Sequence, residues 1–254
     1  MSPTGWGKAR IGTSGWIYKH WKQLFYPPNV AQRQWLDVYA DTFDTVEINF
    51  TFYRLPTAQT FASWNQRARP GFDFALKGSR YVTHLKQLHD AEPHVKLFFD
   101  RAASLRQHTG PILWQLPPRL SRDDDRLAAF LDVLPKDYDH ALEFRHDSWF
   151  VEPVRCLLRE RNVALCVADS VKRPGTLELT TKWTYIRFHQ GQDRGSYTEE
   201  QLRHWSREIE RVLATGINVW IYFNNDPEGH AIFNARRLMS YLDVRPYDRS
   251  PAAP

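Results

Sequence analysis

Six titratable residues fall near the ends of short alternating segments. Glu47 lies in Thr45–Asn49, Lys77 in Phe72–Lys77, Glu143 and Arg145 in His140–Arg145, and Arg187 and His189 in Trp183–His189. Strand geometry sends alternate side chains to opposite faces. Val46 with Ile48, Phe74 with Leu76, Leu142 with Phe144 and Ile186 with Phe188 therefore share one face, and the titratable residues share the other. Two carboxylates, an imidazole and three cations gathered at one end of a sheet suit acid–base chemistry on an anion. Glu47, Glu143 and His189 are the candidate catalytic residues. Lys77, Arg145 and Arg187 are candidate clamps: Arg offers a planar fork for phosphate or carboxylate, and Lys a point charge. Asn49, Tyr53, Gln115 and Asn224, at or just beyond other strand ends, complete the candidate substrate-binding set. The competing account is a ring of satisfied ion pairs, Glu143 with Arg187 for example, that caps a core and binds nothing.

Other chemistries were weighed against the same residues. Glu47, Glu143, Asp169 and His189 stand near four strand ends and could suit a divalent ion. Arg145 and Arg187 beside those carboxylates would repel it, and no HExxH-type spacing occurs, so no metal and no other cofactor is assigned. A glycoside-type hydrolase using the Glu47/Glu143 pair is an alternative, decided by the separation of the two carboxylates. A second alternative is a non-catalytic or metal-assisted nucleic-acid-binding protein that grips backbone with basic charge and bases with aromatics. Ser14 lacks the GxSxG setting of an acyl-transfer nucleophile. The aromatics Trp16, Tyr18, Trp21, Phe25 and Tyr26 either roof a pocket or pack as a small core under a long loop.

The elements that must position these residues recur in a regular order. Strand-like runs at Arg10–Thr13, Thr45–Asn49, Phe72–Lys77, Gly110–Leu116, His140–Arg145, Val163–Val167, Trp183–His189 and Ile217–Asn224 alternate with helical segments. The helices are expected at Gln32–Phe43, Thr57–Arg67, Pro93–Gln107, Asp123–Leu134, Glu152–Arg161, Thr198–Ala214 and Ala231–Leu242. The crossover Ser170–Thr180 shows little helical pattern. Eight such units predict an α/β fold, a single (β/α)₈ TIM-type barrel, with its chemistry at the carboxyl ends of the strands. Residues 1–247 read as one barrel domain, and the polar, Pro-containing stretch 248–254 as a disordered tail.

Bulk composition narrows the setting. The chain has 254 residues, and a formal net charge of +5 favours an anionic partner without naming it. Two cysteines, Cys156 and Cys166, form no CxxC pair, which argues against a zinc ribbon or a disulfide scaffold. The first ten residues lack an apolar signal core, and no run is long enough to span a bilayer, so a cytoplasmic protein without membrane contact is expected.

Several of these stretches, read together, resemble the YecE-like family. They are Gly12-Thr13-Ser14-Gly15-Trp16, Phe25-Tyr26-Pro27, Glu47 to Tyr53, Gly110-Pro111 with Gln115-Leu116-Pro117-Pro118, Glu143-Phe144-Arg145-His146, Tyr185 to His189, and Tyr222-Phe223-Asn224-Asn225. The resemblance runs in matching order from about Ile11 to Tyr241. It implies a TIM-type barrel of the domain-of-unknown-function class and brings no established reaction with it.

Overall fold

The structure is a computed structural model and describes residues 5–245. Its eight strands are β1 (Ala9–Thr13), β2 (Thr45–Ile48), β3 (Asp73–Lys77), β4 (Thr109–Gln115), β5 (His140–Glu143), β6 (Val163–Ser170), β7 (Trp183–Gln190) and β8 (Asn218–Phe223). Every hydrogen-bonded pair is parallel, in the order β1-β8-β7-β6-β5-β4-β3-β2. The eight helices are α1 (Trp35–Thr42), α2 (Phe50–Tyr53), α3 (Ala58–Arg67), α4 (Glu92–Ala102), α5 (Asp124–Asp132), α6 (Glu152–Glu160), α7 (Glu199–Leu213) and α8 (His230–Tyr241).

The two ends of that order meet and nearly close a barrel. A Cβ built on Gly12 would lie 2.1 Å from the Thr45 carbonyl oxygen, so β1 and β2 can approach this closely only with glycine there. No strand ladder joins them. Instead the Tyr39 hydroxyl, on α1, accepts the Thr13 N–H at 2.9 Å and donates to the Thr45 carbonyl at 3.1 Å.

Strand alternation sorts the apolar residues into two cores. Outward residues such as Phe74, Leu76, Trp114, Leu142, Ile186, Phe188, Ile221 and Phe223 pack beneath the helices. The lumen holds Ala75, Leu113, Ala141, Ala164, Cys166, Tyr185 and Tyr222. The helices follow from local signals. A full capping box between Thr198 and Gln201 starts α7, whose buried face is Leu202, Trp205, Ile209 and Leu213 at helical spacing. Thr57 and Asp123 cap α3 and α5.

The crossover from β6 to β7 has no helix. Thr180 replaces part of one, its hydroxyl accepting the Leu165 N–H at 2.8 Å and donating to the Val163 carbonyl at 2.7 Å. Beside it a cavity of about 330 Å³ is lined by Phe144, Phe150, Leu165, Val167 and Arg173.

Among the boundaries that differ from the sequence expectation, two bear on the site. β2 ends at Ile48 because Asn49 already has helical dihedrals and leads into the short α2, whose pattern is too brief to read. β5 ends at Glu143, which leaves Arg145 on the following loop. The expected tail, 248–254, lies outside the described residues.

Candidate active site

The carboxyl ends of the strands hold a buried cluster of charge. Arg187, on β7, lies at its centre and is 1% exposed. Its Nη2 donates to Glu47 Oε1 at 2.8 Å, and its Nη1 donates to Glu143 Oε2 at 2.6 Å. Both carboxylates are fully buried. The second oxygen of Glu47 accepts the Tyr185 hydroxyl at 2.7 Å, from two residues earlier on the inward face of β7. Arg145 pairs with Glu143 Oε1 from the loop after β5 and remains 31% exposed.

These contacts fix the charge states. Burial pushes the Glu47 carboxyl up, but Arg187, the Ser14 hydroxyl, Lys77 and Tyr185 outweigh it and hold the group below its ordinary value. For Glu143 burial is likewise opposed, by Arg187, His189 and Arg145, and the carboxyl sits well below the ordinary range. Both are carboxylates at neutral pH.

His189 stands next to this pair. Its Nε2 lies 3.3 Å from Glu143 Oε1 and 3.1 Å from Arg145 Nη2, and its Nδ1 lies 3.2 Å from the Asn224 amide nitrogen. With Asn224 donating to Nδ1, the ring proton belongs on Nε2, facing Glu143. Burial, which outweighs the pull of Glu143, lowers its pKa and keeps the imidazole neutral.

Lys77 is buried at the end of β3, and among the described residues it enters no ion pair. Its Nζ lies 4.1 Å from the centre of the Phe52 ring. Burial first, then Arg187, lower its pKa to about 8, although Glu47 and Glu143 pull the other way. The effect extends outward. His84, edge-on to Phe52 at 5.0 Å, has its pKa lowered by burial and then by Lys77, Arg80 and Arg145.

The remaining predicted residues sit at or just beyond neighbouring strand ends. Asn49 reaches the Ser14 carbonyl at 3.3 Å and Asn224 Oδ1 at 3.4 Å. Gln115 ends β4 in register with Glu143 and is half-buried, and Tyr53 on α2 is exposed. Asp169 turns away from the cluster, accepting the Gly175 N–H at 2.7 Å. Among the described residues no three His, Cys, Asp or Glu side chains are grouped to hold a metal ion.

Sequence reasoning left Tyr185, Phe52, His20 and Asp226 out of the site. Tyr185 was legible, since it shares the inward face with Arg187. Phe52 was hidden because its helical turn is only four residues long. The pair His20–Asp226, 2.9 Å apart, joins the loops after β1 and β8, and Trp21 donates to the other Asp226 oxygen at 2.8 Å. No spacing rule connects residues so distant in the chain.

Fold and site together define a TIM-type barrel with a charged cup at the carboxyl end of its lumen. The chain belongs to the family described as "Protein of unknown function DUF72", whose model matches residues 10–254. It is 23% identical to the UPF0759 protein YunF of Bacillus subtilis, over 92% of this chain and 94% of that protein. It is 29% identical to the UPF0759 protein YecE of Escherichia coli, over 63% of this chain and 58% of that protein. Among solved structures it resembles a DUF72 family protein from Thermotoga maritima, with a TM-score of 0.83 and 28% identity over 93% of this chain and 99% of that one. A DUF72 family protein from Enterococcus faecalis shares the fold with a TM-score of 0.76 at 19% identity, over 93% of this chain and 98% of that one.

Proposed function

We propose that this protein is an enzyme that binds a small anionic molecule, a phosphate ester or a carboxylate, at the barrel mouth and moves a proton on it. One observation carries the reading. The cluster sets three cations, Lys77, Arg145 and Arg187, against two carboxylates, and Lys77 is the cation without a partner. A buried cation lacking a counter-ion is costly, and an incoming anion removes that cost. Arg187 is engaged through both terminal nitrogens by Glu47 and Glu143, so it acts on the ligand by holding the carboxylates in place. Lys77 and the half-exposed Arg145 make the contacts, with Asn49, Gln115, Tyr53 and Asn224 forming the walls.

His189 is the proton acceptor in this reading: it is neutral, Glu143 orients its Nε2–H, and the Nδ1 lone pair is the base once the Asn224 amide turns to the substrate. A glycoside hydrolase needs one carboxyl protonated near neutral pH. Both carboxylates here are stabilised as anions, which favours the first reading. Among the described residues no helix is long and apolar enough to cross a membrane, and we place the protein in the cytoplasm without a metal or organic cofactor.

Calorimetric titration with phosphate, sulfate and small carboxylates tests the proposal. Wild type should bind, and Lys77→Met should lose at least about ten-fold in affinity, the 1.5–3 kcal/mol of a charged hydrogen bond. Binding that is absent from wild type, or equal in Lys77→Met, would overturn it.

A further inference from the structure

We propose that the Lys77 amine is a nucleophile, and that the anion taken at the mouth carries an aldehyde or ketone which Lys77 holds as a protonated imine. This rests on the anion reading above and names the class of substrate.

The geometry separates Lys77 from every other lysine of the described chain. Lysines are ordinarily solvated, because a charged ammonium is costly to bury. Lys77 is buried to 6% exposure at the floor of the cup. A lysine retained there purely for charge would be expected to meet one of the two carboxylates. Both are instead claimed by arginines, through Arg187 Nη1, Arg187 Nη2 and Arg145. The ammonium faces the Phe52 ring at 4.1 Å, where the π face is an apolar neighbour and a weak attraction rather than a counter-ion.

The backbone is fixed as well. The Thr51 hydroxyl lies 2.6 Å from the Lys77 carbonyl and 2.8 Å from the Ile48 carbonyl, and the Gly78 N–H donates to Leu113 at 2.8 Å. Nζ is therefore carried on a rigid strand end rather than on a mobile loop, which is what a near-attack geometry requires.

Burial and the nearby arginines both favour the free amine, and with a pKa of about 8 roughly a tenth of Lys77 is unprotonated at pH 7. A solvated lysine, with a pKa near 10.4, has roughly one part in two thousand. Lys77 thus combines an accessible lone pair with cationic neighbours able to hold the substrate's anionic group. Such desolvation beside other cations is a known route to a reactive lysine.

The step balances without an outside reagent. The nitrogen lone pair forms a C–N bond to the carbonyl carbon, and the carbonyl π pair moves to oxygen, which takes up protons released by the nitrogen. The C–O bond then breaks and water leaves. Ammonium plus carbonyl gives protonated imine plus water, with the single positive charge conserved. The resulting cation remains opposite Glu47 and Glu143, so the charge balance of the cluster is unchanged.

Trapping tests this directly. The full-length protein is incubated at pH 7 with glyoxylate and cyanoborohydride, and separately with acetaldehyde as an uncharged control, and adducts are located by peptide mass spectrometry. Lys77 should be labelled by glyoxylate at least about ten times faster than any other lysine, a margin smaller than the free-amine fractions allow. Phosphate should slow that labelling, acetaldehyde should show less preference, and Lys77→Arg should lose the fast adduct. The phosphate competition needs no variant, so it stands even if Lys77→Arg folds poorly. Glyoxylate spread evenly over surface lysines overturns the imine. If phosphate still binds by calorimetry in that case, the anion reading survives without the imine; if it does not, both fall.

Discussion

Tyr39 and Thr45 join the two strands that the sheet itself leaves unlinked. The tyrosine hydroxyl stands between β1 and β2, accepting the Thr13 N–H and donating to the Thr45 carbonyl, where a ladder bond would otherwise run. Tyr39→Phe removes one atom and leaves two buried backbone groups unsatisfied. It should destabilise the protein by about 1–3 kcal/mol in denaturant unfolding, with phosphate binding at the mouth unchanged. Wild-type stability in this variant would show that the seam is held by packing alone.

Arg187 is the centre of the cup in structural as well as chemical terms. Read from the sequence as a clamp for a ligand, it should be dispensable to the fold. Enclosed by two buried carboxylates, it should not be. Arg187→Met should cost about 3–5 kcal/mol, because it strands two negative charges in the interior. Adding Glu47→Gln and Glu143→Gln should restore much of that loss. If Arg187→Met alone unfolds at the wild-type midpoint, the ion pairs contribute little to stability.

Lys77 should have the opposite sign. Its folded pKa of about 8 lies below its ordinary 10.5, so the unfolded chain binds this proton more tightly than the native one. The penalty is absent above pH 10.5, grows as pH falls towards 8, and is complete below that. Arg187 and Arg145 deepen it, while Glu47 and Glu143 relieve it. Lys77→Met should therefore raise stability at pH 7 by about 1–3 kcal/mol while weakening anion binding. A variant less stable than wild type would mean that the ammonium has a stabilising partner.

A different histidine governs behaviour in acid. His140, at the opposite end of β5, accepts the Trp114 indole N–H on Nδ1 at 3.2 Å and lies with Nε2 2.9 Å from the Pro135 carbonyl. Burial pushes its pKa down to about 4 from 6.5. The unfolded chain takes up this proton first, so stability should fall as pH drops from 6.5 to 4, by up to about 3 kcal/mol. His140→Gln, which can keep both hydrogen bonds, should flatten that stretch of the stability–pH curve. An unchanged slope would assign the acid sensitivity to other groups.

Much of the molecule was legible in the sequence because barrel strands obey a period of two. Leu142 and Phe144 against Glu143, and Ile186 and Phe188 against Tyr185 and Arg187, assigned faces that the two cores reproduce. The missing helix after β6 was visible as an absence of helical spacing. Of the pairings at the mouth, only Glu143 with Arg187 was anticipated. That Arg187 would bind Glu47 and Glu143 together, and leave Lys77 over Phe52, depends on where separate strand ends meet across the lumen. Phe52 lay on a turn too short for periodicity, and His20 met Asp226 only through barrel closure.

The strand order has a consequence for timing. β1 forms its ladder with β8, matching Ala9–Thr13 to Val219–Phe223, and packs on β2 without a ladder, with the Tyr39 hydroxyl bridging the two backbones. Within the barrel, β1 is made before the other strands and waits for the last before the amides of its β8 edge find partners. Until some two hundred further residues have been made, β1 has α1, β2 and, through Arg10 with Asp73, the start of β3 for company. The barrel is in this sense a clasp, fastened from its far end, and shortening the chain before β8 would release the strand made first.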